Sequence, residues 1–419
     1  MGIFYQLFIR KHRKAMSKIL VLTTIYPTPD IPIANNTNVV HYFAREWVKQ
    51  GHEVYVIHNY PIYLKLFHWI AKFTDKLIAS KFNTSVTSTY INKDSSYEID
   101  GVKITRLPLF KPLPRGKVPK YSLDKQVAKI IKACNTANFV PDIITAHNFY
   151  PHLEMVNKLK REFFNFTKTC IVIHKQNLKM LKYTGKDYKK QIENVDIWGY
   201  RSLPLKREFE NYTGMNPKHF MCYSGIPKHF LEHPHSCNTQ KPLNRFIYVG
   251  SFIKRKYPEK ILLALKATSI SNFSLSYIGD GVNKRLLEKI IKKYHWENKV
   301  TLHGYLTREE IPMILAKSQC FIMISKDETF GLVYLEAMSM GCITIASKNE
   351  GMEGIIQDGF NGFLCEAGNE KELAQIITRI NNLSNEEIRK ISNNARNTAI
   401  QLTDSKVAYQ YLKHLTNDI

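Results

Sequence analysis

Two glutamates eight residues apart carry the clearest chemical signal in this 419-residue sequence. Glu328 and Glu336 flank Phe330-Gly331 and a run of helix-forming residues, and the apolar segment upstream, Cys320–Ile324, predicts a short buried strand. A strand, a polar turn, Phe-Gly and a helix follow one another here. In this arrangement, free backbone N–H groups and the positive end of the helix dipole point to a place where an anion can bind. A pyrophosphate group would fit there, with Glu336 in reach of sugar hydroxyls and Glu328 close to whatever follows the phosphates.

The alternative is an ordinary strand-to-helix turn whose glutamates are solvated, because exposed glutamate is common. The longer string argues for the functional interpretation. It resembles the two-glutamate signature of retaining glycosyltransferases of family 4, the glycosyl transferases group 1, of the bacterial surface-polysaccharide type. The similarity runs from Ser325 to Leu364. The resemblance implies an α/β protein of GT-B architecture, in which two Rossmann-like doubly wound domains face each other across a cleft.

The composition indicates which kinds of binding partner and which cellular compartment to expect. The 60 Lys and Arg residues outnumber the 36 Asp and Glu residues, and the formal charge of +24 favours nucleic acid, acidic lipid headgroups or phosphate-bearing substrates. The seven cysteines show no metal-ligand spacing, so we expect reduced thiols in a cytosol and no zinc site. No apolar run reaches the roughly 18 residues that predict a transmembrane helix.

The order of predicted strands, helices and polar segments divides the chain into five parts. Their predicted bounds are 1–15 for a basic amino-terminal extension, 16–230 for an acceptor-binding domain, 231–244 for a linker, 245–402 for a nucleotide-sugar-binding domain and 403–419 for a last helix. The ligands of the two domains, and the expectation that the last helix crosses back to the first domain, follow from the resemblance.

In the first domain, the resemblance places acceptor-binding residues in the loop after the first strand. Tyr26 and Asn36 lie in this loop, and a plain surface loop is the alternative. His147 follows the predicted strand 141–146, at the carboxyl end where open α/β sheets bind ligands, and matches the family's active-site histidine. His174 repeats the strand-then-His arrangement and is a further acceptor-side candidate.

Residues 60–82 depart from the α/β pattern. Lysines lie on the other faces of the predicted helix. The apolar side chains that recur there at helical spacing are Leu66, Trp69, Ile70, Phe73 and Leu77. Such a basic amphipathic helix suits an anionic membrane interface. A helix that packs its apolar stripe on the domain's own sheet is the alternative.

In the second domain, the predicted first strand ends at Gly250. Family members usually have an arginine next and a lysine five positions later, and the pair neutralises the diphosphate as charge builds on the leaving group. This chain has Ser251 in place of the arginine and keeps Lys256. Either Lys254 or Arg255 takes the role of the missing arginine, or one cation contributes less to neutralising the diphosphate. The alternative for Lys256 is an ordinary solvated lysine.

The resemblance completes the set of candidate site residues. The donor-binding candidates are Gly250, Ser251, Lys256, Gly279, Gly281, Glu328, Phe330, Gly331, Leu332 and Glu336. The glycines at 279 and 281 form a turn that lies near the nucleotide in the family, although this turn is weak support by itself. The catalytic candidates are His147, Lys256 and Glu328.

These expectations describe a retaining hexosyltransferase that uses a nucleoside-diphosphate sugar and a glycolipid or oligosaccharide acceptor in cell-surface polysaccharide biosynthesis. No Asp-x-Asp motif stands at a predicted strand end, so Lys256 and the amides at Phe330–Leu332 are expected to replace a metal, and no cofactor is expected. The expected location is cytoplasmic, peripheral on the inner face of the cell membrane.

Three alternatives remain open at this point. A nucleotide-sugar epimerase shares the architecture, and a non-catalytic protein that binds nucleic acid or membrane would explain the basic charge. The charge is spread along the chain and no nucleic-acid motif occurs, which argues against nucleic acid. A catalytically inactive scaffold subunit would fit Ser251.

Overall fold

The computed structural model describes residues 16–30, 38–71, 90–114, 116–232 and 241–416. In this part of the chain, no helix combines the length and the apolar character that crossing a membrane requires.

The chain divides into two compact units. The first holds the chain up to Gly199, the segment Thr213–Phe220 and the chain from Ala408 onward, and the second holds Tyr200–Tyr212 and Met221–Val407. The predicted boundaries differ from this division, because residues 200–212 and 221–230 lie in the second unit. Segments this short leave no mark in composition, so they were predicted as part of the first domain.

The first unit is built on eight strands. They are β1 Lys18–Thr23, β2 Glu53–Ile62, β3 Ser95–Ile99, β4 Val102–Phe110, β5 Ile143–His147, β6 Lys168–Ile173, β7 Ile197–Tyr200 and β8 His219–Met221. Their order in the sheet is β3-β4-β2-β1-β5-β6-β7-β8, with β3 antiparallel to β4. The helices of this part are α1 Val39–Lys49, α2 Lys120–Thr136, α3 Phe149–Glu162 and α4 Tyr188–Glu193, and residues 65–71 are also helical.

The central strand β1 explains the layered arrangement of this unit. Its sequence KILVLT is aliphatic throughout its middle and almost entirely buried, and it pairs in parallel with both β2 and β5. Because helices cover both faces of such a sheet, a central parallel strand needs apolar residues on both sides. Helix α1 contributes to this cover through the buried side chains of Phe43 and Trp47.

The last helix, α13 Asp404–Thr416, completes the first unit with its carboxy-terminal part. The Trp47 indole N–H donates a hydrogen bond to the carbonyl oxygen of Ala408 at 2.9 Å. The Tyr411 ring packs edge-on against Phe43 and Trp47, and its hydroxyl lies 2.5 Å from that of Thr145. The core of the first unit therefore includes residues from the end of the chain.

The second unit contains a six-stranded parallel sheet. Its strands are β9 Arg245–Val249, β10 Ser274–Ile278, β11 Val300–Leu302, β12 Cys320–Ile322, β13 Ile343–Ser347 and β14 Phe363–Cys365. Its helices are α5 Leu203–Thr213, α6 His229–Glu232, α7 Pro258–Ala267, α8 Lys284–Lys293, α9 Ile311–Leu315, α10 Leu332–Ser339, α11 Glu370–Asn382 and α12 Asn385–Gln401. The strand order β11-β10-β9-β12-β13-β14 is that of a doubly wound domain, as the sequence predicted.

Candidate functional site

The strand order of the second sheet marks one place for a ligand. Chain order runs outward from β9 towards β11 on one side and from β12 towards β14 on the other, so the direction reverses between β9 and β12. Ligands of open α/β sheets bind outside the carboxyl ends of the strands at such a switch point. The loops that follow β9 and β12 carry Lys256 and Glu328.

Lys256 and Glu328 meet there as an ion pair. The ammonium of Lys256 contacts Oε2 of Glu328, and the two side chains are 12% and 13% exposed. The Met323 sulfur lies 3.6 Å from the same ammonium, and the Ser325 hydroxyl donates to Oε2 of Glu328 at 3.4 Å. The structure thus brings two predicted site residues together and gives each a largely buried partner of opposite charge.

A third carboxylate fixes the loop that carries Glu328. Glu350, from the loop after β13, accepts hydrogen bonds from the backbone N–H groups of Asp327 at 3.0 Å and Glu328 at 2.7 Å. Asp327 has a φ of 60°, a left-handed conformation that costs energy in a residue with a side chain. Glu350 therefore holds a strained turn; it lies within the string 325–364 that resembles the family, but no local pattern indicates this role.

The start of α10 has the form expected of an anion site. Gly331 precedes the helix with a φ of 84°, and no side chain caps the first turn. A Cβ atom on Gly331 would lie 2.5 Å from the Tyr334 ring, so glycine is required by both backbone and space. Because the first N–H groups of a helix have no partner within it, they remain available to a phosphate.

Glu336 lies in the same helix, and its side chain is only 7% exposed. Nε and Nη2 of Arg308 donate to its Oε1 at 3.0 Å and 2.6 Å. Burial raises the pKa of the Glu336 carboxyl, and Arg308 opposes that rise. Arg308 was not among the predicted site residues, since nothing about a single arginine 28 residues upstream indicates this pairing.

The predicted glycines lie where backbone segments touch. A Cβ atom on Gly279 would lie 2.1 Å from the Gly250 carbonyl oxygen, and one on Gly281 would lie 2.6 Å from that of Phe252. The loops after β9 and β10 therefore pack directly on each other, which is a structural reason for both glycines. Their contact with a nucleotide stays a prediction. Ser251 is exposed, and its carbonyl oxygen accepts a hydrogen bond from the Tyr248 hydroxyl.

In the first unit, the structure brings His147 and His174 together at the ends of β5 and β6. Nδ1 of His147 lies 2.9 Å from Nε2 of His174. The His147 ring is buried and stacks at 6.1 Å from the Phe43 ring, whereas His174 is partly exposed. Of the two, His174 offers more surface to a ligand.

Tyr26 does not present its side chain at the surface as an acceptor contact would. It is fully buried, and its hydroxyl lies 2.8 Å from Nδ1 of His41, whose Nε2 lies 2.9 Å from Asp100. Burial raises the pKa of Tyr26 well above its usual range. The other candidate of this loop, Asn36, lies outside the described residues.

The predicted membrane helix is described only up to residue 71. There, Leu66 is 60% and Trp69 is 58% exposed, whereas Ala71 is buried. Phe73 and Leu77 lie outside the described residues.

Comparison with known proteins shows what the second unit is similar to. Residues 232–398 match the family model described as glycosyl transferases group 1. N-acetyl-alpha-D-glucosaminyl L-malate synthase of Bacillus anthracis is 30% identical over 168 residues, which are 39% of this chain and 43% of that protein. The chain therefore spans less than half the length of the curated relatives it matches.

Two solved structures resemble nearly the whole chain. HepE of Anabaena in complex with UDP has a TM-score of 0.66 at 17% identity, over 96% of this chain and 100% of that chain. The apo form of the lipopolysaccharide outer core galactosyltransferase WaaB has a TM-score of 0.67 at 14% identity, with the same coverage. At this identity the likeness shows the fold, and it confirms the predicted GT-B architecture.

Proposed function

We propose, from the match of residues 232–398 to the family model described as glycosyl transferases group 1, that the whole protein is a retaining glycosyltransferase. In this proposal it moves a hexosyl group from a nucleoside-diphosphate sugar to a glycolipid or polysaccharide acceptor in cell-surface polysaccharide biosynthesis. The observation that carries the proposal is the convergence of Lys256, Glu328 and the uncapped start of α10 at the switch point of the second sheet.

Each candidate residue of the second unit has a role in the proposed donor complex. The N–H groups at Phe330–Leu332 and the Lys256 ammonium bind the diphosphate and take the place of a metal ion. Glu336 accepts hydrogen bonds from the ribose hydroxyls and Glu328 from the transferred sugar. Lys256 must then exchange Glu328 for a phosphate oxygen. The UDP bound in HepE supports this class of donor.

The proposed chemical step keeps the configuration at the anomeric carbon. An acceptor hydroxyl attacks C1 of the sugar on the face from which the diphosphate departs. The bond between the acceptor oxygen and C1 forms as the bond between C1 and the phosphate oxygen breaks, and the hydroxyl proton passes to the departing phosphate. Lys256 and the helix start stabilise the charge that builds on the leaving group.

The acceptor side of the proposal draws on the first unit. His147 and His174 lie at the carboxyl ends of neighbouring strands, where open α/β sheets bind ligands. We assign His147 to the transferred sugar or the reacting face and His174 to the acceptor. Peripheral binding to an anionic membrane is supported by the exposed Leu66 and Trp69 and by the formal charge of +24. WaaB, a lipopolysaccharide galactosyltransferase, supports a surface-polysaccharide setting.

The deciding experiment screens nucleotide sugars against the purified full-length protein by thermal shift and then measures sugar release and transfer. One nucleoside-diphosphate sugar should raise the melting temperature and be hydrolysed slowly without acceptor. The sugar released from it should have the configuration of the donor. Isomerised nucleotide sugar as the product would show an epimerase instead, and no response to any nucleotide sugar would contradict the proposal.

A flotation assay tests the membrane part of the proposal separately. Vesicles that contain anionic phospholipid should carry the protein to the top of a gradient, whereas neutral vesicles should not. The double change Leu66→Ser and Trp69→Ser should reduce flotation. A matched change at an exposed aromatic residue elsewhere in the first unit, Phe166→Ser, should leave it unchanged, since Phe166 is 98% exposed and lies far along the chain from residues 65–71. Equal flotation of the wild type, the double variant and Phe166→Ser would contradict membrane binding through Leu66 and Trp69.

A further inference from the structure

A buried arginine of the second unit lies beside the start of α10. Arg201 is 2% exposed; its Nη1 donates to the Cys222 carbonyl oxygen at 2.6 Å and its Nη2 donates to the Ser224 hydroxyl. The segment that accepts these bonds is itself tightly packed, because a Cβ atom on Gly225 would lie 2.3 Å from the backbone nitrogen of Asp404. The guanidinium is therefore held in one place.

The guanidinium lies over the ring of Phe330, with Cζ 5.4 Å from the ring centroid. The Tyr223 ring packs against the same side chain at 5.8 Å. Next to them, a Cβ atom on Gly351 would lie 2.5 Å from the backbone of Phe330. Phe330 is thus fixed on several sides, and the residue after it, Gly331, begins α10. The position of Phe330 consequently sets where the first N–H groups of the helix point.

Arg201 also brings charge to a site that lacks one expected cation. Ser251 stands where the resemblance to the family leads us to expect an arginine, and Lys256 is paired with Glu328. The Arg255 guanidinium lies 3.5 Å and 3.4 Å from the carbonyl oxygens of Lys326 and Asp327. A guanidinium stays protonated at every physiological pH, and burial strengthens its field because the surrounding dielectric is low.

We propose that Arg201 is a positioning residue of the donor site. It fixes Phe330, and through Phe330 the N–H groups that hold the diphosphate, and its buried positive charge offsets the substitution of serine at position 251. The inference rests on the proposed function, because it assumes a diphosphate at the start of α10. In this proposal Arg201 acts through Phe330 and does not touch the donor.

The test measures nucleotide affinity by isothermal titration calorimetry on full-length protein. The ligand is whichever of UDP, ADP, GDP, CDP and dTDP the wild type binds best, with the matching nucleoside monophosphate as reference. The variants are Arg201→Met, which keeps much of the packing and removes the charge, and Arg201→Lys, which keeps the charge. Arg207→Met is the matched control, since Arg207 comes from the same segment and forms an exposed pair with Glu353 at 2.6 Å.

Arg201→Met should weaken diphosphate binding about tenfold and monophosphate binding less than about threefold, because the field acts mainly on the added phosphate. Arg201→Lys should recover at least part of the diphosphate affinity, and Arg207→Met should match the wild type. A melting temperature for each variant accompanies the titration, so that loss of folding is seen directly.

Two results would overturn the inference. Diphosphate affinity unchanged in a folded Arg201→Met protein would show that Arg201 has no part in the site. Equal loss for diphosphate and monophosphate, with no recovery in Arg201→Lys, would show a purely structural role. A wild type that binds none of the five diphosphates would instead contradict the proposed function itself, and the inference with it.

Discussion

The ammonium of Lys256 and the carboxylate of Glu328 contact each other across the switch point of the second sheet. In the proposed complex these two groups face different parts of the donor, so the pair must separate when a nucleotide sugar binds. Such a pair neutralises both charges while the site holds no donor. Its separation is a cost that donor binding has to offset.

Changing Glu328 to glutamine should therefore lower turnover without weakening the binding of the nucleoside diphosphate. Glu328→Gln frees Lys256 for the diphosphate, so the affinity for the nucleoside diphosphate should stay equal or rise. Turnover should fall at least about tenfold, since the carboxylate contact to the transferred sugar is lost. Calorimetry and a transfer or hydrolysis assay measure the two effects. Weaker diphosphate binding with normal turnover would contradict the role of Glu328.

Changing Glu336 to alanine should weaken donor binding. The loss should be about 1–3 kcal/mol, the scale of a hydrogen bond to a charged group, if the carboxylate holds the ribose. Titration with the nucleoside diphosphate measures the loss. Because Glu336→Ala also leaves Arg308 without this partner, the double variant with Arg308→Ala serves as control. Unchanged affinity in a folded Glu336→Ala protein would remove the assignment.

The raised pKa of Glu336 predicts a pH dependence of stability. A carboxyl whose pKa rises on folding binds more protons in the folded than in the unfolded state, so its ionisation destabilises the fold. Between its ordinary value of 4.5 and the raised value, the wild type should lose stability relative to Glu336→Gln as pH increases. Thermal unfolding of both proteins from pH 4.5 to pH 8 measures this difference. A stability difference between the two proteins that stays constant with pH would contradict this prediction.

Replacing Glu350 should loosen the loop that carries Glu328. Glu350→Ala removes the acceptor of two backbone hydrogen bonds, one of them to the strained Asp327. Hydrogen exchange in residues 325–331 should become faster, and stability should fall by about 1–2 kcal/mol. Glu353→Ala is the matched control, since Glu353 comes from the same loop and pairs with the exposed Arg207. Equal exchange in both variants would show that Glu350 does not hold the loop.

Adding a methyl group at Gly331 should distort the start of α10. Gly331→Ala combines a φ of 84° with a Cβ atom 2.5 Å from the Tyr334 ring, and we expect a loss of about 2–3 kcal/mol. Gly304→Ala in the same unit is the control, because Gly304 has a φ of 73° and no atom within 4 Å of its added Cβ. Thermal unfolding should show the larger loss for Gly331→Ala. Equal losses of stability in the two variants would mean that backbone strain alone, without the contact to the Tyr334 ring, causes the loss.

The sequence predicted those parts of the site that a local pattern encodes. Phe330-Gly331 before a helix indicated the anion site, and the interval between Glu328 and Glu336 indicated the family. The residues that hold these groups were missed, because Arg201, Arg308 and Glu350 reach them from other loops of the second unit, and no spacing rule records such contacts. The burial of Tyr26 was missed for the same reason, since its partner His41 comes from the next helix.

The packing of Trp47 and Tyr411 in one core has a consequence for how the protein is made. A ribosome synthesises residues near position 47 long before residues 408–416, and the whole second unit, up to Val407, is made between them. The first unit therefore cannot complete its interior until the second unit has been synthesised, which reverses the usual order of domain folding during translation.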